Sequence, residues 1–339
     1  MQKKIMIAGY GSVAREFVRL ILSRSKGIKE KYQIDLLVTG IIGSKGMIYQ
    51  SEGIQLQELV DFGTGSDALL LYSQHFEIPI IDPRFEGDVL IDCTPTNLEN
   101  GEPGLTYYSQ AIRSGMDIVS VAKGALVHSF KEIMLEAQTK GTRIKYSGAT
   151  AAALPTLDIG EYSLAGTTIN RIEGILNGTS NFILTSMMDD HLSFAEALQL
   201  AQQKGIAEPN PVLDVKGFDS ACKLLLLSNS LLGTDYSLKD IKIRGIDEVS
   251  MEEMLNIKQK NGRLKLLATA YKKEDQVVLE VTPCEIHSHH LLFNVNGTEK
   301  GVLFETSEMG TICCTGGASN PKGAAAAALK DFINLYRIG

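Results

Sequence analysis

Near its amino end the chain runs Lys3-Lys4-Ile5-Met6-Ile7-Ala8-Gly9-Tyr10-Gly11-Ser12-Val13-Ala14. Residues 3–8 are short and β-like, and apolar side chains recur at helical spacing from residue 13 onward. A strand, a Gly-x-Gly turn and a helix, in that order, form the dinucleotide-binding pattern of a Rossmann-type domain. The pattern therefore predicts an α/β first half that binds a dinucleotide.

Each position of the turn has a physical role in that pattern. Gly9 permits the tight turn, and Gly11 lets the backbone approach a pyrophosphate. Ser12 and Val13 then begin a helix whose positive end faces the phosphates. Ala14 takes the third glycine position and is small enough for close helix–strand packing. We predict that Gly9, Gly11, Ser12 and Val13 bind the cofactor.

The end of a second strand, at residues 34–42, bears on the choice of cofactor. Sites that prefer NAD usually place an Asp or Glu there to accept a hydrogen bond from the ribose 2′-hydroxyl. This chain has Gly43-Ser44-Lys45 instead, so no carboxylate repels a 2′-phosphate and a lysine is available to meet it. Ser44 and Lys45 favour NADP, and NAD stays open because Lys45 fits a solvated turn equally well.

Two further predicted strands end in polar residues. The strand at residues 89–94 ends at Thr94, and the strand at residues 117–121 is followed by Ala122 and Lys123. Ligands of open α/β sheets bind beyond the carboxyl ends of the strands. We therefore predict ligand contact for Thr94 and Lys123. The strand–helix alternation fades after residue 146, so a domain boundary is expected near Ser147.

Bulk properties limit the class of protein. A chain of 339 residues exceeds what one simple core usually spans, so two domains are expected. A net charge of −7 argues against nucleic acid or an anionic membrane as partner. Five cysteines form neither a zinc pattern nor a disulfide framework, and the redox state of Cys313 and Cys314 stays open. With no room for a signal peptide before residue 3 and no bilayer-spanning segment, we expect a cytoplasmic protein.

A second informative stretch is Gly205-Ile206-Ala207-Glu208-Pro209-Asn210-Pro211-Val212-Leu213-Asp214-Val215-Lys216-Gly217-Phe218-Asp219-Ser220-Ala221-Cys222-Lys223. Its end opens an apolar helix in which Asp219 and Lys223, four residues apart, share one face. A helix that is apolar on nearly every face is normally buried, and buried charges are tolerated when they are paired or functional. A structural ion pair is the alternative, but Glu208 and Asp214 in the preceding turn favour an active site.

The second half predicts an α+β domain in which helices cover a sheet. Residues 167–176, 263–270 and 276–281 have strand-like patterns. The run His287-Ser288-His289-His290 lacks an acidic partner at ligand spacing, so no metal site is predicted there. A Gly-rich turn at residues 315–320 precedes an Ala-rich helix and suits an anion, although an ordinary helix start fits as well.

Together these residues resemble the homoserine dehydrogenase family, along essentially the whole chain. The most specific match is Ala201-x-x-x-Gly205-Ile206-Ala207-Glu208-Pro209-Asn210-Pro211-x-x-Asp214-Val215-x-Gly217-x-Asp219-x-x-x-Lys223. Residues 174–185, 94–97 and 122–124 are similar to other family segments. The resemblance implies reversible, NAD- or NADP-dependent oxidation of L-homoserine to L-aspartate 4-semialdehyde, in the biosynthesis of threonine, methionine and isoleucine. It also implies a dinucleotide-binding domain at residues 1–147, completed by residues 315–339, and a substrate-binding and dimerisation domain at residues 148–314.

The resemblance also assigns catalytic and cofactor residues. By matching motif, Lys223 would be the general acid and base, and Asp219 would pair with it and orient it. Lys123 would stand between cofactor and substrate. The backbone around Gly317 would close over the nicotinamide side.

On the substrate side, Glu208 would hold the ammonium group with Asp214 nearby, and Gly178 and Thr179 would line the same site. A substrate that carries an ammonium and a carboxylate complements a site with two carboxylates and two lysines. Family members are usually homodimers through the sheet of the second domain, so a homodimer is expected.

Departures from the family pattern affect the periphery of the site. Many members have Glu where Ser147 stands, so Thr150 and Ala152 form at most a weak monovalent cation loop, and no other metal is expected. The chain stops soon after the Ala-rich helix, so no regulatory domain is expected. Two alternatives are kept: a silent dinucleotide-binding paralogue, and a dehydrogenase of a related amino-acid semialdehyde.

Overall fold

The computed structural model describes residues 1–337 and divides into two compact units. The first contains Met1–Ala153 and the C-terminal segment from Asn320, and the second contains Leu154–Ser319. Each unit has one six-stranded sheet with helices around it. The predicted fold class, a Rossmann-type domain plus an α+β domain, is confirmed.

The strands of the first unit are β1 (Gln2–Ala8), β2 (Asp35–Gly43), β3 (Gly46–Tyr49), β4 (Val89–Asp92), β5 (Asp117–Ser120) and β6 (Ile144–Lys145). Its helices are α1 (Ser12–Tyr32), α2 (Leu56–Asp61), α3 (Gly65–His75), α4 (Gly104–Arg113), α5 (Gly124–His128), α6 (Phe130–Lys140), α7 (Ser147–Ala151) and α14 (Pro321–Tyr336).

The first sheet has the order β3-β2-β1-β4-β5-β6, and every neighbouring pair is parallel except β2 and β3. The chain moves outward from β1 to β2 and β3, then crosses back to β4 on the other side. The carboxyl ends of β1 and β4 therefore flank a topological switch point, which is where open α/β sheets bind ligands.

Helices α1 and α14 pack together against this sheet. Residues 14, 17, 18 and 21 of α1 are buried, the spacing of one helical face. From α14, Ala325, Ala328 and Phe332 enter the same core. The C-terminal helix thus completes the first unit.

The strands of the second unit are β7 (Ile169–Ile175), β8 (Ile241–Ile243), β9 (Arg263–Lys273), β10 (Gln276–Ile286), β11 (Lys300–Thr306) and β12 (Gly310–Gly316). Its helices are α8 (Thr156–Asp158), a π-helical turn (Ile159–Ser163), α9 (Gly178–Asp189), α10 (Phe194–Gln203), α11 (Val212–Val215), α12 (Phe218–Leu231), a 3₁₀ turn (Leu238–Asp240) and α13 (Met251–Gln259).

The second sheet has the order β12-β11-β7-β9-β10-β8 and is antiparallel except between β10 and β8. Helix α12 packs against β7, β8, β9 and β10, and nine of its residues are buried. This burial is what its nearly continuous apolar sequence requires.

Two details differ from the sequence-based expectation. Thr315 and Gly316 end β12 in the second unit, because they pair with β11, and the Ala-rich helix begins only at Pro321. The compact units separate between Ala153 and Leu154, whereas the sequence suggested a boundary near Ser147. No helix within residues 1–337 is long and apolar enough to cross a membrane.

Candidate active site

Asp219 and Lys223 form a close, mostly buried ion pair on α12. Lys223 Nζ lies 2.5 Å from Asp219 Oδ2, and the side chains are 13% and 16% exposed. Asp219 stands in the first turn of the helix, where the helix dipole favours a carboxylate. Lys223 follows one turn later, so its ammonium reaches back to the carboxylate.

The segment between β7 and α9 supplies further partners to this pair. Lys223 Nζ donates to the carbonyl oxygen of Leu176 at 2.8 Å. Asn177 Nδ2 donates to Asp219 Oδ2 at 2.8 Å. Asn177 is also the N-cap of α9, because its Oδ1 accepts the N–H of Ser180 at 2.8 Å, which fixes the orientation of its amide. The sequence did not indicate the contact of Asn177 with Asp219, because the two residues lie on different elements.

Asp214 belongs to the same hydrogen-bonded group. Its Oδ1 accepts from Asn177 Nδ2 at 2.6 Å, so the amide joins Asp214 to Asp219. Burial raises the pKa of Asp214, and the nearby negative charge of Asp219 raises it further. The structure thus brings together three predicted residues, Lys223, Asp219 and Asp214.

Glu208 lies in the exposed loop between α10 and α11, outside the buried group. Its carboxylate accepts no hydrogen bond from residues 1–337. Its charge still contributes to the raised pKa of Asp214, after the larger effects of burial and Asp219.

Gly178 and Thr179 begin α9, directly after Asn177. Thr179 Oγ1 donates to the carbonyl oxygen of Ile206 at 3.0 Å, which ties the start of α9 to the loop that carries Glu208. A Cβ on Gly178 would come within 2.8 Å of the Thr298 carbonyl oxygen. The helix start is therefore packed closely against the segment that leads into β11.

Lys300, the first residue of β11, lies near enough to Lys223 and Asp219 for their charges to act on it, which the sequence did not indicate. It is only 2% exposed. Burial lowers the pKa of Lys300 to about 7, and the positive charge of Lys223 contributes, while Asp219 opposes the shift. A lysine directly before the apolar run Gly301-Val302-Leu303-Phe304 was the available signal.

In the first unit, Gly9, Gly11, Ser12 and Val13 lie between β1 and α1. Gly9 has φ +80, and a Cβ there would come within 2.8 Å of the Cys93 carbonyl oxygen after β4, so only glycine fits. A Cβ on Gly11, by contrast, would meet no atom within 4 Å. No acidic side chain lies in the first turn of α1, which leaves the positive helix end available to phosphate.

A buried carboxylate, Asp92, organises the neighbouring strand ends. Its Oδ1 accepts the N–H and the hydroxyl of Thr94 at 2.9 and 2.7 Å. Its Oδ2 accepts the Tyr108 hydroxyl at 2.8 Å, and burial raises the pKa of Asp92. Thr94 is thus held rigidly, and Lys123 stands as the N-cap of α5 after the adjacent strand. The sequence reasoning did not single out Asp92.

Ser44 and Lys45 form the turn between β2 and β3. The Ser44 hydroxyl lies 2.8 Å from that of Ser66, and Lys45 Nζ lies 3.2 Å from Asp67 Oδ1. Both members of the ion pair are largely exposed, at 58% and 88%. The structure therefore places a carboxylate beside Lys45 that the local sequence did not indicate.

The loop considered for a monovalent cation is held by protein groups. Thr150 Oγ1 donates to the Ser147 carbonyl oxygen at 2.8 Å, and Ala152 N–H donates to Gly148. The Ser147 hydroxyl donates to the fully buried Asp331 at 2.8 Å, and Lys330 Nζ lies 3.2 Å from the same carboxylate. The ammonium of Lys330 therefore lies beside Asp331, the buried carboxylate next to this loop.

The histidine-rich run does have acidic neighbours, contrary to the expectation. His290 Nε2 lies 2.8 Å from Glu173 Oε1, and His287 Nε2 lies 3.3 Å from Glu285 Oε1. Glu173 lies on β7, far from His290 in the sequence, so sequence spacing could not reveal this contact. Across residues 1–337 no group of three His, Cys, Asp or Glu side chains is arranged to hold a metal ion.

Gly317 lies directly after β12, in the second unit. It has φ +77, and a Cβ there would come within 2.7 Å of the Leu154 backbone nitrogen. The close approach of two backbone segments requires glycine at this position.

Comparison with known proteins agrees with these features. Residues 155–333 match the family model described as homoserine dehydrogenase. The chain is 33% identical over 334 residues to the homoserine dehydrogenase of Sulfurisphaera tokodaii, covering 98% of this chain and 99% of that protein. It is 30% identical over 335 residues to the homoserine dehydrogenase of Methanocaldococcus jannaschii, covering 98% of each.

Two further matches extend the comparison. An NAD(+)-dependent homoserine dehydrogenase of Pseudomonas canavaninivorans is 28% identical over 345 residues, covering 98% of this chain and 96% of that protein. Among solved structures, an Archaeoglobus fulgidus protein provisionally described as a homoserine dehydrogenase superposes with a TM-score of 0.86 at 27% identity, covering 99% of each chain. The resemblance inferred from the motifs is confirmed.

Proposed function

The chain belongs to the homoserine dehydrogenase family, NAD(P)-dependent oxidoreductases that interconvert L-homoserine and L-aspartate 4-semialdehyde, and we propose that Lys223 is its general acid and base. A lysine ammonium has three N–H donors. Two of those of Lys223 are directed to Leu176 and Asp219. The third is available for the oxygen of the substrate, and this count is the observation that carries the proposal.

In aldehyde reduction the bound nicotinamide cofactor supplies the hydride that adds to the carbonyl carbon. Lys223 donates its third proton to the carbonyl oxygen as negative charge develops there, and the product is the alcohol. In homoserine oxidation, neutral Lys223 accepts the hydroxyl proton. Asp219 keeps Lys223 in one orientation throughout, because it is fixed by Asn177 as well.

Chemical rescue tests this role of Lys223. In Lys223→Ala the acid is lost, and we expect turnover to fall by about a hundredfold or more, the usual contribution of general acid–base catalysis. Ethylamine added to the assay should restore part of the turnover, whereas ethanol, which has nearly the same shape, should not. Near-normal turnover of the variant without amine would contradict the proposal.

The substrate ammonium is proposed to bind between Glu208 and Asp214, with Gly178 and Thr179 at the same end of the site. Asp214 is held by Asn177, and Glu208 is exposed and near enough to influence the charge of Asp214. An exposed carboxylate beside a partly buried one attracts a cation and then holds it in a less polar environment.

The cofactor is proposed to occupy the carboxyl ends of β1 and β4. Gly9, Gly11, Ser12 and Val13 fit the pyrophosphate, because Gly11 has open space and the α1 helix end is free of acidic residues. Thr94, fixed by Asp92, is proposed to contact the cofactor. By family resemblance, Lys123 is assigned to stand between cofactor and substrate, and Gly317 to the nicotinamide side.

NADP is proposed as the preferred cofactor. The support is Lys45, with the hydroxyls of Ser44 and Ser66 beside it. The Lys45–Asp67 pair is an exposed ion pair of the kind that contributes at most about 1 kcal/mol, so a 2′-phosphate is able to displace the carboxylate. The NAD alternative rests on the same Asp67, whose carboxylate suits a ribose 2′-hydroxyl.

Two substitutions separate these alternatives. If NADP is preferred through Lys45, Lys45→Ala should raise the KM for NADP about tenfold, the loss of one phosphate contact of about 1.4 kcal/mol, and leave the KM for NAD unchanged. Asp67→Asn should lower the KM for NADP. An increase in the KM for NAD in Asp67→Asn, with NADP unaffected, would instead support the NAD alternative.

A homodimer in the cytoplasm is proposed from family resemblance. Light scattering on the purified protein tests the assembly. A mass of one chain at assay concentrations would contradict it.

A further inference from the structure

Lys300 lies near Lys223 but has no role in the proton transfer proposed above. It begins β11, where Gly301 pairs with Ile175 of β7 and Lys300 itself pairs with Gly316 of β12. The residue after Ile175 on β7 is Leu176, whose carbonyl oxygen binds Lys223 Nζ. The register of the sheet thus places Lys300 beside the strand end that anchors the active lysine.

Two charged groups that act on Lys300, Lys223 and Asp219, lie on α12. Lys300 is buried, so water does little to screen these interactions. Asp219 is therefore a carboxylate influenced by two ammonium groups, one from its own helix and one from the sheet.

Proton transfer makes this second ammonium important. In aldehyde reduction Lys223 gives up a proton and becomes neutral, which leaves Asp219 buried without the charge of its partner. The neighbouring carboxylate Asp214 adds to the uncompensated negative charge, because the single amide of Asn177 binds both carboxylates. An unbalanced buried carboxylate is costly, so the transfer needs a standing positive charge nearby.

We propose that Lys300 is a positioning residue for the reaction: its buried ammonium balances and orients Asp219 while Lys223 exchanges its proton with the substrate. This role rests on the proposed function of Lys223. Lys300 acts through Asp219, and no proton of Lys300 is transferred to the substrate.

The test is the pH profile of kcat/KM for aldehyde reduction in Lys300→Met, which keeps an unbranched side chain only one atom shorter and removes its charge. The ammonium is present in the wild type below about pH 7 and is lost above it. We expect kcat/KM to fall at least about tenfold at acidic pH, through kcat rather than KM, with a smaller loss at alkaline pH. If Lys300→Met does not fold, Lys300→Gln, which keeps an N–H donor without charge, replaces it.

Lys265→Met is the matched control. Lys265 is also a buried lysine, 1% exposed with a pKa lowered to about 7, but Arg263, Asp189 and Glu299 act on it instead of the α12 pair. The ratio of kcat/KM in Lys265→Met to kcat/KM in the wild type should not depend on pH. A pH-independent loss in Lys300→Met, like that of the control, would overturn the proposal. Lys223→Met, measured in parallel, separates the two claims: if it retains turnover, the role of Lys223 fails, whatever Lys300 does.

Discussion

Asn177 connects the two carboxylates of the site at the scale of single residues. Its Nδ2 donates to Asp214 at 2.6 Å and to Asp219 at 2.8 Å, while its Oδ1 caps α9. One amide therefore links the start of α9 to α11 and α12. The orientation of Asp219, and through it that of Lys223, depends on this amide.

Replacement of Asn177 by Ala should consequently reduce turnover. Loss of one hydrogen bond to a charged group costs about 1.5–3 kcal/mol, so loss of the bond that orients Asp219 should lower kcat between about tenfold and a hundredfold. Steady-state kinetics measure the change. The control is Asn170→Ala, because Asn170 lies on β7, the strand that precedes Asn177, and within residues 1–337 its amide donates to the Ser307 hydroxyl and to neither carboxylate. Equal effects of the two substitutions would refute the positioning role of Asn177.

The sequence predicted some residues of the site and missed others for one physical reason. Asp219 and Lys223 are four apart on one helix, and helical geometry alone brings them together. Lys300 joins them only because β11 pairs with β7, a long-range register that no local spacing reveals. The sequence did not single out Asn177, because its two carboxylate partners come from other elements.

At the scale of elements, buried lysines mark the second sheet. Lys265 on β9 donates to Asn181 of α9 at 3.1 Å, to the Val295 carbonyl at 2.5 Å and to Asn296 at 2.9 Å. One ammonium thus ties a strand, a helix and the loop before β11 together. Burial lowers the pKa of Lys265 to about 7.

This lysine makes stability depend on pH in a definite direction. Between about pH 7 and 10.5 the unfolded state binds more protons than the folded state, so the free energy of unfolding rises with pH. For one group the slope is up to about 1.4 kcal/mol per pH unit. In urea unfolding, the free energy of unfolding of Lys265→Met should rise less steeply with pH than that of the wild type, by up to this amount per pH unit. Identical slopes in variant and wild type would contradict the account.

Element boundaries were predictable where the local chemistry is strong. The strand and turn at residues 3–11 and the start of α12 after Gly217 follow from Gly positions and apolar runs. The end of β12 was not predictable from the sequence, because Thr315 and Gly316 resemble a turn before a helix. They are strand residues only through pairing with β11.

At the scale of the whole molecule, the proposed tasks follow the two compact units. The proposed pyrophosphate residues Gly9, Gly11, Ser12 and Val13 belong to the first unit, and Asp219 and Lys223 belong to the second. The chain returns from the second unit into the first at Asn320. The predicted functional division at Ser147 stays a prediction.

The role of Lys223 is tested most directly by homoserine-dependent formation of the reduced nicotinamide cofactor, followed by absorbance. The wild type and Lys223→Ala are measured side by side, with NAD and with NADP. We expect turnover in the wild type and a loss of about a hundredfold or more in the variant, with cofactor binding retained. Comparable turnover in the two proteins would contradict this role.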